Sequence, residues 1–464
     1  MTVFSISGAL GKLAQAFREE GAALYGVGGM VRNPLLGLTV ADFDVCAALP
    51  PERVRALCER AGFACAEKGA AFGTLDILAD GERFEYACFR AEQYDETGAH
   101  RPQSVRFSQS LEEDAFRRDF TVNALYLDPL SGEVIDPTGG LSDLEKRLLR
   151  ATSKNPGDIL RDDGLRILRL ARFAAELGFV AEPATLEAAR EHAGGLVDIS
   201  PERVQAELNK LLLADVRYRA GEASLVYGLA LLYESGALEA VLPELARCAG
   251  VKQKAQYHAY DVLYHSFHAC ACAPPELTLR IAMLLHDIGK PAALESHGKM
   301  HGHELLSAQM AERILSRFKY PTAIKKEAVE LIRLHMYDLK GEARPRTLKK
   351  RFVQLGKERA LRLCAVREAD VHGSGIETGE VATARRWREV LADMERKNAP
   401  FTERELCCTG LDIEGWLSIP PGPRVGEIKR ALLLHCACKP EDNTPARLRA
   451  LARDIGGAHD KRRP

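Results

Sequence analysis

Secondary-structure signals are divided unequally along this chain. Strand-like segments occur only in the first third, as ALYGVG, DFDVCAAL, FGTLDILA, ERFEYACF and VNALYLD, separated by glycine-rich turns and helical stretches such as PPERVRALCERAG. From about residue 141 the pattern is helical nearly to the end, with breaks at EHAGG, CACAPPE, LKGEARPRT and SIPPGPRVG. Strands followed by helices predict an α+β chain, with a small mixed-sheet head and an elongated all-helical body.

Length and composition favour a folded protein of several domains. At 464 residues the chain is too long for one core, and the usual domain size predicts about three or four domains. Hydrophobic content of 46% and charged content of 28% are typical of soluble proteins, and no apolar run approaches the roughly 18 residues that a membrane span needs. The N-terminal segment lacks a basic region followed by a long apolar stretch, so no signal peptide is expected.

The cysteines indicate the cellular compartment, and the net charge limits how the chain could bind nucleic acid. The twelve cysteines are scattered singles, a Cys407–Cys408 pair and two C-x-C pairs, never C-x-x-C, which favours reduced thiols in the cytoplasm over a structural zinc site. A net charge of −1 means that any nucleic-acid binding must be local. Residues 339–363, with nine Lys and Arg against two Glu, are the best candidate patch, although most such runs are solvated helix faces.

A glycine pair and an acid pair occur close together in YGVGGMVRNPLLGLTVADFDV. Gly28–Gly29 at a strand-to-helix turn would let a phosphate approach the backbone, and Arg32 could add charge. Asp42 and Asp44 on the next strand would share one face, where two Mg²⁺ ions could hold a triphosphate and activate a hydroxyl. An exposed polar strand face is the alternative, and Glu85 on a neighbouring strand could supply a third acid.

The stretch RDDGLRILRLARF, residues 161–173, predicts an amphipathic helix. Its apolar residues form one stripe, while Asp163, Arg166 and Arg169 follow on another face. Asp162 near the start would suit the helix dipole and has a salt-bridge spacing to Arg166. The pattern alone therefore allows either an ordinary solvated helix face or a set of side chains that recognises a ligand.

Four motifs in order give the chain a family resemblance. The Gly-Gly turn, the arginine and D-x-D resemble polymerase-beta-like nucleotidyltransferases, and LEEDAFRRDFTVNALYLDPLSGEVIDPTGGLSDLEKRLLRA resembles the following segment of bacterial tRNA nucleotidyltransferases and their poly(A) polymerase relatives. RDDGLRILRLARFAAELGF is similar to the next motif of that family. The resemblance covers about residues 20–210 and resumes at PPGPRVGEIKRALLLHCACKPEDNTPARL.

This resemblance implies a role for each matching residue. Asp42 and Asp44 would bind Mg²⁺, Gly29 and Arg32 would touch the triphosphate, Arg118 would reach the sugar or phosphates, Asp163 and Arg166 would hydrogen-bond cytosine or adenine, and Arg169 and Arg172 would lie near the nucleotide. A carboxylate accepts from an exocyclic amine, and a guanidinium donates to a ring nitrogen or carbonyl. Guanine and uracil exchange these donors and acceptors, which would leave buried charges unpaired.

The implied activity is addition of C, C and A to the 3′ end of tRNA from CTP and ATP, without a nucleic-acid template. Residues 89–107 resemble the flexible segment that CCA-adding members keep and CC-adding members shorten, while A-only and poly(A) addition stay open. The chain departs from the family at Asn33, usually Asp, and at Asp162, usually Glu. The tRNA would be held by shape and backbone contacts along the helical half, by a monomer or homodimer.

A histidine and aspartate series lies in the helical part of the chain. LRIAMLLHDIGKP places His286–Asp287 at the end of an apolar helix, where a lone pair would ordinarily be a satisfied core histidine and its partner. Further histidines occur at 265, 301, 303 and 335, and Asp370 lies in READVHG. This order resembles the HD phosphohydrolases.

That second resemblance implies a metal site and a second chemistry. His265, His286, Asp287 and Asp370 would be the four metal ligands, with His303 and His335 as extra ligands or phosphate contacts. Imidazole and carboxylate suit Mn, Ni, Fe, Zn or Mg, and a metal-bound water could attack a phosphate ester. A metal-dependent hydrolase acting on RNA ends, and a non-catalytic RNA-binding protein, are the rival readings of the whole chain.

The predicted domain order follows from these motifs. We expect a nucleotidyltransferase head at 1–140, a helical neck with the nucleotide-selecting helix and an RNA-binding region at 141–235, an HD domain at 236–375 and a C-terminal helical tail at 376–464.

Overall fold

A computed structural model describes residues 4, 6–69, 73–93 and 104–460 of the chain. Contacts divide the chain into two units, the first of residues 1–249 and 314–320 and the second of residues 250–313 and 321–464. None of the helices in the described part is long and apolar enough to cross a membrane.

A mixed sheet of seven strands begins the first unit. The elements in chain order are α1 Gly8–Glu19, β1 Tyr25–Val27, α2 Gly29–Leu35, β2 Asp44–Ala47, α3 Pro51–Ala61, β3 Ala64–Gly69, β4 Thr74–Ala79, β5 Glu82–Cys88, β6 Arg90–Gln93, β7 Ser104–Phe107, α4 Leu111–Phe116, β8 Tyr126–Leu127 and β9 Val134–Ile135. The strand order is β3-β4-β5-β2-β1-β8-β9. Within the described residues of this sheet, β2 and β5 are the one parallel pair, and their register sets Asp44 beside Glu85.

Alternating burial explains why these segments become strands. Along β5 the pattern alternates, with Phe84 and Tyr86 buried on the face that meets α1 and α3. Helix α1 contributes Leu10, Leu13 and Phe17 to the same core. This packing fixes one face of the sheet and therefore the position of the loops at its ends.

Each of the five predicted strand segments contains a strand, and the α+β class is confirmed. Sequence patterns missed β3, which forms a sheet edge, and the two-residue strand β9. They also missed the hairpin of β6 and β7, which pair antiparallel. Residues 94–103, the centre of the segment at 89–107, lie outside the described residues.

Helices complete the first unit, together with one short parallel strand pair that the helical pattern after residue 141 did not predict. The elements are α5 Gly140–Glu145, β10 Leu148–Leu149, α6 Pro156–Asp162, α7 Leu165–Leu177, β11 Val180–Ala181, α8 Pro183–His192, α9 Pro201–Leu212, α10 Ala214–Arg217, α11 Glu222–Glu234, α12 Ala237–Val241 and α13 Pro243–Ala246. Helix α11 packs closely on α7, because a Cβ at Gly228 would lie only 2.7 Å from the Ala171 carbonyl oxygen. Helix α7 is therefore held rigidly in the middle of the unit.

The stretch 161–173 is not one helix, so that prediction is wrong at its start. Helix α6 ends at Asp162, Asp163 is extended with φ −139° and ψ 97°, and α7 begins at Leu165. The Asp163 carboxylate accepts from the Leu165 N–H at 3.1 Å, which satisfies an amide that the helix start leaves unpaired. Asp162 therefore lies at the end of one helix and not at the dipole-favoured start of the next.

The second unit is built of α-helices and contains no strand among its described residues. Its elements are α14 Val262–Cys272, α15 Leu277–Leu285, α16 Lys290–His297, α17 His303–Arg317, α18 Thr322–Leu334, α19 Pro345–Leu355, α20 Lys357–Gly373, α21 Ala382–Arg396, α22 Gly410–Leu417, α23 Pro423–Cys436 and α24 Pro445–Asp460, with the end of α17 returning to the first unit. Each of the four predicted helix breaks contains the end of one α-helix or the start of the next. Helices α14 and α20 approach closely, since a Cβ at Gly373 would lie 2.5 Å from the Ala269 backbone.

Candidate active site and metal centre

The predicted glycine turn lies between β1 and α2. Gly28 has φ +65°, a conformation that L side chains rarely adopt, and an added Cβ would lie 3.6 Å from Asp44 Oδ2. The turn thus needs glycine for its backbone conformation and brings that backbone beside a predicted catalytic carboxylate.

The two predicted metal-binding acids occupy different local structures. Strand β2 begins at Asp44, so Asp42 precedes it and the prediction of one strand through both is wrong at Asp42. The Phe43 carbonyl nevertheless accepts from the Glu85 N–H at 2.9 Å, which extends the ladder by one bond. The Asp42 side chain is 61% exposed and its Oδ2 accepts from Arg217 at 2.7 Å. A helix far along the sequence therefore supplies a cation to this carboxylate.

Arg32 is buried and held by amide side chains. It donates to Asn33 Oδ1 from Nη2 at 2.9 Å and also to Asn123 Oδ1. Burial lowers the pKa of Arg32. The Asn33 amide nitrogen in turn donates to the Thr39 carbonyl and the Tyr218 hydroxyl, each at 3.0 Å. An aspartate at position 33 could accept from Arg32 but could not make those two donations, so the family departure falls within this hydrogen-bond network.

Asp114 organises two neighbouring arginines that face the cavity. Its fully buried carboxylate accepts from Arg117 Nε at 2.9 Å, from Arg118 Nη2 at 2.7 Å and from the Tyr126 hydroxyl at 2.8 Å. Burial alone would raise the pKa of Asp114, but the two guanidinium groups outweigh it and lower it to about 2. The predicted phosphate or sugar contact at Arg118 is therefore held in place by an acid that sequence reasoning missed.

The predicted base-contacting pair is also held by its surroundings. Arg203 Nη2 lies 3.3 and 3.0 Å from the two Asp163 carboxylate oxygens. Arg166 is buried, and it donates to the Ile159 carbonyl at 2.9 Å and to the Arg117 carbonyl at 2.7 Å. Both side chains therefore have orientations set by other elements of the first unit.

The remaining two predicted arginines of α7 form ion pairs with buried acids. Arg169 donates through Nε and Nη2 to Asp119 Oδ2, the former at 2.7 Å. Arg172 donates to Glu207 at 2.6 Å and to Glu176 at 3.0 Å, and all three side chains are at most 5% exposed. A buried charge is costly without a partner, and these two acids satisfy the Arg172 guanidinium. Because Glu207 lies in α9, Arg172 links α7 to α9 and also lines the cavity.

All nine residues predicted for the head site line one cavity of about 440 Å³ in the first unit. They are Gly29, Arg32, Asp42, Asp44, Arg118, Asp163, Arg166, Arg169 and Arg172. Sequence reasoning missed Arg117, Asp119, Asn123, Arg203, Lys210, Arg217 and Tyr218, which also line it. The seven-residue spacing of Arg203 and Lys210 in α9 was the available signal, because it places both on one helix face.

The predicted histidine and aspartate ligands converge in the second unit. His265 Nε2 lies 3.1 Å from His286 Nε2 and 3.2 Å from Asp370 Oδ1. His286 Nε2 lies 3.2 Å from Asp287 Oδ2. The histidines and Asp287 are at most 1% exposed in their side chains. Nitrogen and carboxylate ligands at these spacings fit a divalent metal ion, so the arrangement is more than a core histidine with one partner.

His303 and His335 extend the same cluster. Their Nε2 atoms are 3.1 Å apart, and they lie 3.0 and 3.7 Å from Asp287 Oδ1. Burial lowers the pKa of His335 to about 3. Burial also lowers the pKa of His286, but the carboxylates of Asp287 and Asp370 outweigh it and raise it to about 10. The cluster thus joins acids to imidazoles in a largely buried site, in which the Asp370 side chain is 14% exposed.

The candidate basic patch at 339–363 falls on α19 and the start of α20. Four of its nine cations have acidic partners: Lys349 with Asp393, Lys357 with Glu395, Arg359 with Glu330 and Arg362 with both Glu276 and Glu327. The charges of these four cations are therefore neutralised within the second unit. For these residues the pairing favours the interpretation as a solvated helix face.

Three family descriptions match successive parts of the chain. Residues 24–150 match the Poly A polymerase head domain, residues 178–248 match the probable RNA and SrmB-binding site of polymerase A, and residues 256–372 match the HD domain. The predicted head type and HD domain are thereby confirmed. Both kinds of domain imply dependence on divalent metal ions.

Relatives and a solved structure match nearly the whole chain. An A-adding tRNA nucleotidyltransferase from Deinococcus radiodurans is 36% identical over 447 residues, covering 93% of this chain and 94% of the relative. A multifunctional CCA protein from Xanthomonas campestris pv. campestris is 34% identical, covering 87% and 95%. The crystal structure of the Bacillus stearothermophilus CCA-adding enzyme in complex with CTP matches with a TM-score of 0.73 and 28% identity, covering 97% of each chain.

The order of the sequence motifs, the residues that line the cavity and the near-complete coverage of the relatives all indicate the same family. The chain is a nucleotidyltransferase, and it belongs to the tRNA nucleotidyltransferase family whose members carry the poly(A) polymerase head domain.

Proposed function

We propose that this chain adds C, C and A to the 3′ end of tRNA, using CTP and ATP and no nucleic-acid template. The observation that carries the proposal is the convergence of the acid pair, the glycine turn and the α7 side chains on one cavity. Its volume of about 440 Å³ is within the range of small-molecule sites. A tRNA substrate and the reduced thiols that the cysteine spacing predicts favour the cytoplasm as the compartment.

Asp42 and Asp44 would hold Mg²⁺ at the cavity end beside the glycine turn. Mg²⁺ prefers oxygen ligands, and when bound it supplies positive charge to the triphosphate and lowers the pKa of the attacking 3′ hydroxyl. Arg118, fixed by Asp114, would meet the phosphates or sugar of the nucleotide. Most of the rate would come from positioning, because the phosphoryl group itself needs little covalent chemistry from the protein.

Asp163 and Arg166 would select the base. The carboxylate accepts from the exocyclic amine of cytosine or adenine, and the guanidinium donates to a ring nitrogen or carbonyl. Uracil and guanine would present the opposite pattern and leave one of the charges unpaired. Arg203 on Asp163 and two backbone carbonyls on Arg166 would hold this pattern through successive additions.

Addition of A alone is the second candidate, because the Deinococcus relative at 36% identity is named an A-adding enzyme. Purified protein should be incubated with tRNA ending before C74, C75 or A76, with Mg²⁺ and labelled CTP or ATP. Ordered C, C, A addition that then stops supports the proposal. Addition of A only to the CC-ended tRNA favours the second candidate, a long A tail indicates a poly(A) polymerase, and no extension contradicts both.

We also propose that the HD cluster is a metal-dependent phosphohydrolase centre acting on phosphate esters at RNA ends. His265, His286, Asp287 and Asp370 would hold the metal, and Mn, Ni, Fe, Zn and Mg all suit this ligand set. Asp44→Ala should abolish nucleotide addition and preserve hydrolysis of a 2′,3′-cyclic phosphate, whereas Asp287→Ala should do the reverse. Loss of both activities in each variant would contradict two independent sites.

A further inference from the structure

Tyr218 directly follows α10 and lines the nucleotide cavity, although none of the sequence motifs contains it. Its ring centre lies 5.4 Å from the guanidinium carbon of Arg217, the residue that donates to Asp42 at 2.7 Å. Its hydroxyl oxygen accepts from Asn33 Nδ2 at 3.0 Å. The Tyr218 side chain is therefore held from two sides, by the partner of a predicted Mg²⁺ ligand and by helix α2.

The Asn33 amide can take only one orientation. A guanidinium only donates, so the amide oxygen must be the atom that faces Arg32 Nε and Nη2, at 3.2 and 2.9 Å. A backbone carbonyl only accepts, so the amide nitrogen must face the Thr39 oxygen, at 3.0 Å. This nitrogen carries two hydrogens, and the second one points to the Tyr218 hydroxyl. The direction of the bond from Asn33 to Tyr218 therefore follows from partners that cannot exchange roles.

This direction leaves the hydrogen of the Tyr218 hydroxyl for another acceptor. A tyrosine hydroxyl has a single hydrogen, which cannot point to Asn33 while the oxygen accepts from that residue. In the part of the chain that the structure describes, no residue accepts a hydrogen bond from this hydroxyl. Because Tyr218 lines the cavity, its hydrogen is available to an oxygen of a bound ligand.

The neighbours of the hydroxyl indicate which part of a nucleotide it would meet. Asn33 joins it to Arg32, the predicted triphosphate contact, and Arg217 joins its ring to Asp42, the predicted Mg²⁺ ligand. Both neighbours belong to the phosphate side of the predicted site and not to the residues predicted to meet the base. Phosphate oxygens are charged acceptors, and hydrogen bonds to charged groups are stronger than those between neutral groups.

We propose that Tyr218 donates a hydrogen bond to a triphosphate oxygen of the bound nucleotide, and that Asn33 sets the bond direction that permits it. The inference rests on the proposed function for the nucleotide as substrate. The aspartate that the family usually has at position 33 would accept the Tyr218 hydrogen. The hydroxyl would then present only lone pairs to the cavity, and these repel phosphate oxygens. The effect of Tyr218 on binding therefore depends on the residue at position 33.

Nucleotide binding without tRNA tests the contact, because no transfer can occur. The full-length chain should be dialysed to equilibrium against labelled CTP with Mg²⁺, and CMP should be measured by competition. Tyr218→Phe should weaken CTP binding about tenfold, as expected for one hydrogen bond to a charged group, and CMP binding by less than about twofold. Tyr233→Phe, at an exposed tyrosine of the same unit, is the matched control and should retain both affinities.

The role of Asn33 is tested by repeating Tyr218→Phe in an Asn33→Asp protein. There the hydroxyl hydrogen faces the carboxylate, so its removal should change the dissociation constant of CTP by less than about twofold. A purely structural role of Tyr218 would give the same loss in both backgrounds. Circular dichroism checks that the variants fold, and the difference between CTP and CMP in the Asn33 protein tests the contact even if Asn33→Asp does not fold.

The outcomes separate this inference from the function on which it rests. Equal weakening of CTP and CMP by Tyr218→Phe would place the contact at the sugar or base and overturn the proposal. A tenfold loss in the Asn33→Asp background as well would overturn the role of Asn33. If CTP affinity were unchanged in Tyr218→Phe, the inference would fail while the proposed function stood. If the unsubstituted protein bound no CTP, the proposed function itself would be contradicted.

Discussion

Replacing Asp114 by asparagine should destabilise the first unit and disorder two cavity arginines. Asparagine keeps the shape of the side chain but removes the charge that Arg117, Arg118 and Tyr126 all contact. Two guanidinium groups would then lie against a neutral amide in a buried site, and the amide nitrogen would add a donor facing other donors.

The pKa of Asp114 sets the magnitude. It falls from an ordinary 3.8 to about 2 on folding, and at 1.36 kcal/mol per unit this difference corresponds to about 2 to 3 kcal/mol. Because the folded pKa is the lower one, the stabilisation is fully present above pH 4 or so and is lost as the pH falls through about 2. The difference in free energy of unfolding between the unsubstituted protein and Asp114→Asn should therefore be constant near neutral pH and become smaller in acid.

Urea unfolding followed by two probes can locate the effect. Both tryptophans, Trp387 and Trp416, belong to the second unit, so their fluorescence reports that unit while far-ultraviolet circular dichroism reports both. Asp114→Asn should lower the free energy of unfolding obtained from circular dichroism by about 2 to 3 kcal/mol. It should leave the urea transition followed by tryptophan fluorescence unchanged. It should also raise KM for both nucleotides.

Asp158→Asn is the matched control, because its ion pair with Arg161 has the same three-residue spacing as that of Asp114 and Arg117 but is largely exposed. We expect it to change the free energy of unfolding by less than about 0.5 kcal/mol. An equal effect of the two substitutions, or a gap that widens as the pH falls below 4, would refute the reasoning.

Three further substitutions test the cavity. Arg203→Ala frees the Asp163 carboxylate and should reduce discrimination against UTP and GTP about tenfold, equivalent to ~1.4 kcal/mol, in single-turnover addition. Arg217→Ala removes a cation from Asp42 and should lower the Mg²⁺ concentration for half-maximal addition. Gly28→Ala strains the backbone by about 1 to 2 kcal/mol and should slow addition, because the turn beside the acids must shift.

Matched controls exist for these variants. Arg190→Ala removes an exposed arginine of the first unit and should leave selectivity and Mg²⁺ dependence unchanged. Gly37→Ala imposes a similar strain at φ +69° with open space around it, so stability should fall without a specific loss of rate. Unchanged selectivity in Arg203→Ala, a higher Mg²⁺ requirement in Arg217→Ala, or equal rates for the two glycine variants would each contradict the assigned contact.

Local signals together with the family resemblance were enough to predict the site's main residues but not what holds them. The Gly28–Gly29 turn could be found from its position between a strand and a helix, whereas the resemblance implied the roles of the α7 arginines, because their spacing alone also allowed a solvated face. Arg203 and Arg217 could not, since they reach Asp163 and Asp42 across 40 and 175 positions. Only tertiary packing brings such residues together.

The break at Asp163 shows a second limit. The apolar residues of 161–173 begin only at Leu165, so the period does not locate the start of the helix, and one helix was predicted through the whole stretch. The aspartate side chain instead caps the Leu165 amide, a competition that short polar side chains often win. In the HD cluster the family resemblance implied the ligands, and the structure adds that the two oxygens of Asp287 face different histidines.

The contacts that hold the Asp163 and Arg166 side chains in place have an evolutionary consequence. Under the proposed function, nucleotide choice would depend on a charge from α9 and on two backbone carbonyls, those of Ile159 and Arg117, as well as on the two side chains. We therefore expect that relatives could change between adding three nucleotides and adding one while both base-selecting residues stay identical, through changes in the residues that hold them. Such drift would be invisible to a comparison confined to the α7 motif, and the positions to compare first among relatives are those equivalent to Arg203 and Arg117.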